Sequence, residues 1–172
     1  STETTITYFD KIKLAAKRMQ ALMTDLVDYT RTIKADRIVE TVDLNLVLKN
    51  ALEELSLSIE ESSAKISLSK LPIILGTKFQ LQQLFINIIS NAIKYVNPDI
   101  NPIISIQQID FDTEKINNKE ISNKDFYKIT ISDNGIGFDQ KYAETIFMLF
   151  KRLETDYSYK GTGLGLAICK KI

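Results

Sequence analysis

The chain has 172 residues, of which 44% are hydrophobic and 26% charged, a balance that fits one globular domain or one domain with an appendage. Its 22 basic and 22 acidic side chains cancel, so no net field draws it to nucleic acid or to an anionic membrane. With one cysteine and no histidine, an internal disulfide, a Ser-His-Asp triad, a Cys-His pair and any His-bound zinc are excluded.

No apolar run reaches the ~18 residues of a membrane-spanning helix, and no signal peptide is visible. Cys169, set in Leu166-Ala167-Ile168-Cys169, reads as a small buried hydrophobe in a reducing cytoplasm. The chain opens on Ser1 without Met and stops at Ile172 inside a helix-like run, which predicts a piece of a longer protein.

The first segment is sharply periodic. Tyr8, Ile12, Ala15, Met19, Leu22, Leu26, Tyr29 and Ile33 follow a 4-3-4-3 spacing, the seam of a coiled coil or helical bundle. Such a stripe calls for a partner helix or a second subunit; the plainer alternative is a single helix lying on its own domain. Thr30 to Thr41 reads as a polar connector. Val42-Asp43 then supplies an N-cap with a hydrophobic staple to Val47. From there Val47, Leu48, Ala51, Leu52, Leu55 and Ile59 predict an amphipathic helix to about Ser63.

Lys65 to Leu68 alternates like a short strand, and Leu71 to Gly76 reads as a connection with a possible strand at its end. Lys78 to Tyr95 is a second long helix, ended by Asn97-Pro98. Two strands follow, Ile103 to Ile109 and Phe126 to Ser132, joined by a polar hairpin loop. Asp139 is placed to cap a helix through Phe150, and a last helix resumes from Leu164. The order predicts an α+β fold, a two-layer α/β sandwich with helices on one face of a mixed sheet, preceded by a long coiled-coil-like helix. The expected division is 1–40 for the helix and linker and 41–172 for the main domain.

Three clusters carry chemistry. Asn87 and Asn91 stand four apart on one helix, with Lys94 three further on, so their side chains share a side. Amide oxygens suit a hard cation such as Mg²⁺, and the lysine can neutralise phosphate; an ordinary polar helix face would look the same. Asp133 ends a strand ahead of Gly135 and Gly137, where a carboxylate can accept from an exocyclic amine while the glycines let backbone approach a flat base. A plain Asp-Asn-Gly turn is the alternative. Gly161, Gly163 and Gly165 lead into a helix and offer backbone amides to phosphate, or merely ease a turn. They form neither a P-loop nor a Rossmann fingerprint. The three together, in this order, are far more specific than any one.

In these clusters the sequence resembles the sensor histidine kinases of two-component signalling, within the GHKL ATP-binding superfamily. Asn87 to Tyr95 is similar to the N box, Asp133 to Gly137 to the G1 box, Phe147 to Leu153 to the F-box region and Gly161 to Leu166 to the G2 box. The first helix resembles the second helix of a dimerisation and histidine-phosphotransfer hairpin, and the style is nearest to phytochrome-like and PAS-linked kinases.

The resemblance implies a fold of the Bergerat type with ATP and Mg²⁺ as cofactors. It implies that Asn91 coordinates Mg²⁺, that Asn87 supports the metal and phosphates, and that Lys94 and Tyr95 contact phosphate or ribose. Asp133 would bind the adenine amino group, with Gly135 and Gly137 shaping the base pocket. Arg152 would approach the γ-phosphate, Asp139 to Lys160 would form a lid, and Gly161, Thr162, Gly163, Leu164 and Gly165 would hinge it and contact phosphate.

The hydrolytic branch of the superfamily carries a Glu where this chain has Asn87. An amide cannot take a proton from water, so transfer to a protein acceptor is favoured over hydrolysis. The implied acceptor is a histidine, absent from this chain, with onward relay to a response-regulator receiver domain. A homodimer through the helical hairpin is the implied assembly, and the family continues past Ile172 into another strand. Two rivals differ in class: a nucleotide-controlled binding module without kinase activity, and a serine/threonine kinase of the same superfamily.

Overall fold

The computed structural model describes residues 2–34, 38–109, 126–151, 153 and 162–172. It divides into two compact units, one of residues 37–137 and one of residues 1–36 with 138–172.

The 37–137 unit begins with β1 (Glu40–Asp43), followed by α2 (Leu44–Glu54) and α3 (Ser56–Ser62), α1 being the N-terminal helix of the other unit. Asp43 caps α2 as expected, its Oδ1 accepting from the Asn45 N–H at 2.8 Å. Val42 before the cap and Val47 one turn in are both buried, as the staple requires. The single helix predicted to Ser63 is interrupted at Leu55, which leaves helical geometry at φ −91°, ψ 4°. Ser56 and Ser58 that follow are weak helix formers, which lets the chain bend there. Ser63 ends α3 in the left-handed region.

β2 (Lys65–Leu68), β3 (Ile73–Gly76), α4 (Lys78–Lys94), β4 (Ile103–Ile109) and β5 (Lys128–Asp133) complete the unit. β2 pairs parallel to β4, and β5 pairs antiparallel to β4 from Ile104↔Asp133 to Ile109↔Lys128. The result is a mixed three-stranded sheet in the order β2-β4-β5. β1 lies outside the sequence expectation, which ran the connector through Thr41. It exists because Glu40 to Asp43 pair antiparallel with Gly76 to Ile73, a tertiary contact that four residues cannot announce.

One face of the sheet carries the core. Ile104 and Ile106 are fully buried beneath Leu44, Val47, Leu48 and Ala51 of α2 and Phe85, Ile89 and Ala92 of α4. Ile66, Ile129 and Ile131 flank them. The period-2 alternation puts Ile103 on the other face, half exposed. This is the two-layer sandwich expected from the element order. Each fully buried isoleucine contributes about 1.5–3 kcal/mol by burial.

In the second unit, α1 (Thr2–Lys34) is the predicted long helix. Its seam residues Tyr8, Ile12, Ala15, Met19, Leu22 and Leu26 are exposed; the side chains of Tyr29 and Ile33 lie outside the described residues. The helix predicted from Asp139 to Phe150 does not form. Instead two single 3₁₀ turns appear, Gln140–Tyr142 and Thr145–Phe147, and Met148 is extended. The capping signal at Asp139 was real, since its Oδ1 accepts from the Lys141 N–H at 3.1 Å, but one capped turn does not propagate without packing. The last helix, α5, is only Gly165–Cys169.

Candidate functional site

α4 presents two faces. Phe85, Ile89 and Ala92 are buried in the core, while Asn87, Asn91 and Lys94 lie half-buried at its border. The Asn87 Nδ2 is wholly removed from solvent and has no hydrogen-bond partner among the described residues. An orphaned buried donor costs about 1–3 kcal/mol, so this amide stands ready for an acceptor that the polypeptide does not supply. Ser90 Oγ donates to the Asn87 carbonyl at 3.2 Å, a local back-bond that leaves the amide untouched.

At the helix end, the Lys94 ammonium donates to Tyr95 Oη at 2.8 Å and lies 4.3 Å from the Tyr95 ring centroid. Lys94 also sits in the last turn, where a cation meets the negative end of the helix dipole. Tyr95 caps the helix, its N–H donating to the Asn91 carbonyl at 2.9 Å.

The Asp133–Gly137 turn is bonded to this same helix end. The Ile136 N–H donates to the Tyr95 carbonyl at 2.9 Å. Gly135 passes so close that a Cβ there would lie 2.5 Å from the Tyr95 oxygen and 2.6 Å from Asp133 Oδ1. Only glycine fits, for lack of space. Gly137 needs its glycine for a different reason, a φ of +64° in open surroundings. Asp133 is exposed, and its Oδ1 accepts from the Gly135 N–H at 2.8 Å. Its other carboxylate oxygen has no partner among the described residues.

Asn134, which the motif reading passed over, holds the turn from the opposite side. Its Oδ1 accepts from the Ile103 N–H at 2.8 Å, and its Nδ2 donates to the Asn101 carbonyl at 3.1 Å. Its own N–H donates to the Ile103 carbonyl at 3.2 Å. The only sequence signal for this was an Asn in a tight turn, where its side chain commonly bonds backbone.

The remaining predicted residues belong to the other unit. Arg152, Gly161 and residues 154–160 of the expected lid lie outside the described residues. Gly163 has φ +79°, and a Cβ there would lie 2.9 Å from the Lys151 oxygen and the Phe150 carbonyl carbon. The Phe150 N–H donates to the Gly163 carbonyl at 3.1 Å. Phe150 itself has φ +59°, a left-handed conformation rare for a bulky residue. Thr162 and Gly165 flank Gly163 half-buried, and the Leu164 side chain is fully buried.

Thus Asn87, Asn91, Lys94 and Tyr95 follow one another along the last turns of α4, and the turn that carries Asp133, Gly135 and Gly137 is bonded to its end at Tyr95. Gly163 lies against Phe150 and Lys151 in the other unit. No group of three His, Cys, Asp or Glu side chains converges on a possible metal position among the described residues, and no described helix is long and apolar enough to cross a membrane.

A model of the histidine kinase-, DNA gyrase B- and HSP90-like ATPase family matches residues 76–172. The phytochrome-like protein Cph1 of Synechocystis sp. is 38% identical over 154 residues, covering 90% of this chain and 19% of that protein. Among solved structures, full-length ShkA in complex with AMPPNP superposes with a TM-score of 0.65 at 24% identity, over 96% of this chain and 32% of that one. Histidine kinase ThkA in complex with response regulator protein TrrA gives 0.63 at 18% identity, over 99% and 44%. At these identities the structures speak for the fold. The chain spans about a fifth of the length of the curated relatives it matches.

Proposed function

Because the chain belongs to the histidine kinase-, DNA gyrase B- and HSP90-like ATPase family, we propose that it binds Mg-ATP as the catalytic domain of a sensor histidine kinase and delivers the γ-phosphoryl to a histidine. In that transfer the bond from the γ-phosphorus to the ADP oxygen breaks and a bond to an imidazole nitrogen forms. The 172 residues contain no histidine, so the acceptor stands outside them.

The observation that carries this reading is the orphaned Asn87 Nδ2, on the face of α4 shared with Asn91, two turns before the helix end to which the Asp133 turn is bonded. An amide donor without an acceptor fits phosphate oxygens or metal-bound water, and the Asn91 amide oxygen fits a hard cation. Bound there, Mg²⁺ would supply charge neutralisation at the phosphates. Lys94 would add a cation, and the unpartnered Asp133 oxygen would accept from the adenine amine. Arg152, Gly161, Thr162, Gly163, Leu164 and Gly165 would serve the phosphate end, the last five through backbone. Asn87 offers no base for activating water, which supports transfer over hydrolysis.

The cognate receiver of the phosphoryl is a response-regulator aspartate, and the exposed apolar seam of α1 fits assembly as a homodimer in the cytoplasm. The division expected from the sequence, a hairpin helix and linker over 1–40 and a nucleotide-binding domain over 41–172, is part of the same proposal.

Calorimetric titration with ADP and ATP, with and without Mg²⁺, tests the site. Binding that requires Mg²⁺ and disappears in Asn91→Ala is expected. Unchanged binding in that variant would remove the metal assignment. Transfer is tested with radiolabelled ATP and a separately prepared histidine-bearing hairpin, where an acid-labile phosphoprotein is expected and an acid-stable one would point to hydroxyl chemistry.

A further inference from the structure

Asn134 does more than close a turn, because both ends of its side-chain amide are bonded to backbone at Asn101 and Ile103, where the chain enters β4. Its amide oxygen takes the Ile103 N–H and its amide nitrogen reaches the Asn101 carbonyl, while its own N–H takes the Ile103 carbonyl. The residue after Asp133 is therefore fastened to the start of β4 by three hydrogen bonds. That anchorage decides where the next N–H points. The Gly135 N–H occupies one oxygen of the Asp133 carboxylate at 2.8 Å, and so leaves a single oxygen in a fixed direction for a ligand.

On the far side the turn is held by Ile136 on the Tyr95 carbonyl. The Asp133 carboxylate is exposed, so no packing holds it. Its orientation rests on the Gly135 N–H, and the position of Gly135 rests on its two neighbours, Asn134 and Ile136. Removing the Asn134 amide takes away two of the three bonds on that side and leaves only its backbone N–H on the Ile103 carbonyl, while Ile136 still holds the other. The turn then gains freedom to rotate, which weakens the hold of the Gly135 N–H on the carboxylate.

We propose that Asn134 is a positioning residue for base recognition: by fastening the Asp133–Gly135 turn to β4 it aims one carboxylate oxygen, and so sets the preference for a purine with an exocyclic amine over one with a keto oxygen. The inference rests on the nucleotide reading above and extends it to selectivity. A carboxylate of fixed aim accepts from the amine and repels the keto oxygen in the same place, whereas a freely turning one does neither well.

The test compares ADP with inosine diphosphate, in which a keto oxygen replaces the amine, by calorimetry on the whole chain with Mg²⁺. Asn134→Ala should bind ADP on the order of tenfold more weakly, the worth of one ordered hydrogen bond to a charged group, while inosine diphosphate binding holds or improves. The preference then collapses. A merely structural role would lower both ligands together, and that result, or an unchanged ratio, would overturn the proposal.

Asp133→Ala separates the proposal from its premise. If it abolishes the preference while Asn134→Ala retains it, positioning by Asn134 is wrong and the base reading stands. A wild-type chain with no preference for ADP would overturn both. Should Asn134→Ala fail to fold, Asn134→Asp decides, since it keeps the acceptor for Ile103 and loses the donor to Asn101. An intermediate preference supports the proposal, and a full one overturns it.

Discussion

The stretch ending at Gly137 and the stretch that follows it each hold part of the nucleotide motifs, and they are built by different means. In the first, Asn87, Asn91 and Asp133 ride on a long helix and a paired strand whose inner faces are closed by Ile89, Ile104 and Ile106, all fully buried. The turn after Asp133 is bonded to that frame from both sides, through Asn134 and Ile136. In the second, the described residues form two isolated 3₁₀ turns and a five-residue helix. Met148, Leu149 and Phe150 are exposed there in succession, and among the described residues Phe150 and Gly163 have left-handed backbone. A rigid frame suits the groups that must recognise; left-handed, strained backbone suits segments that change state.

Five substitutions or conditions break or sharpen this contrast. Ile104→Ala should have the largest effect, about 2–5 kcal/mol lost by chemical denaturation, because it opens a cavity in the frame between α2, α4 and the sheet. Gly135→Ala comes next. Its Cβ meets a backbone oxygen that cannot step aside, and overpacking of this kind costs about 1–3 kcal/mol. The expected reading is a loss of ADP affinity of about 5- to 150-fold, with the fold retained.

The second stretch should answer with opposite signs at its two left-handed positions. Gly163→Ala should destabilise, since it combines a φ of +79° with a backbone contact at 2.9 Å. Phe150→Gly should do the reverse. It removes a left-handed penalty of about 1–2 kcal/mol from a side chain more than half exposed, against a glycine entropy cost of about 0.5–1 kcal/mol. A small rise in melting temperature is expected, and a clear fall would show that Phe150 is held by contacts rather than strained.

The smallest effect is set by pH. The side-chain and backbone bonds from Asn45 hold the Asp43 carboxyl below its ordinary value of 3.8. A depressed carboxyl contributes stability that is fully present above the unfolded value and is lost as pH falls through the folded one. Stability of the wild type should therefore decline below about pH 4, and Asp43→Asn should flatten that decline in denaturation curves taken between pH 6 and pH 3.

Most of the frame was legible in the sequence because its periods are long. Lys78 to Lys94 repeats its apolar face over more than four turns, and β4 and β5 alternate over six or seven residues. The parts that escaped are those made by contact. β1 is a strand because Ile73 to Gly76 lie beside it. Leu55 breaks a helix that its own periodicity would have continued. Asp139 carries a valid cap, yet the turns after it stay 3₁₀. Of the site, the positions of Asn87, Asn91, Lys94 and Asp133 follow from spacing alone. The role of Asn134 does not, because its partners Ile103 and Asn101 stand some thirty residues away.

The β4–β5 ladder has one more consequence. Its register is set at the Asp133 end, where Ile104 faces Asp133 and the next residue, Asn134, is clamped to the start of β4. The opposite end, at Ile109 and Lys128, carries none of the motif residues. Chain can therefore be added or removed between those two strands without moving the carboxylate, and each doubling of such a connection costs only about 0.6 kcal/mol of closure entropy. A foreign segment grafted beyond Ile109 and before Lys128 would sit at the end of the ladder away from the proposed base-recognition turn.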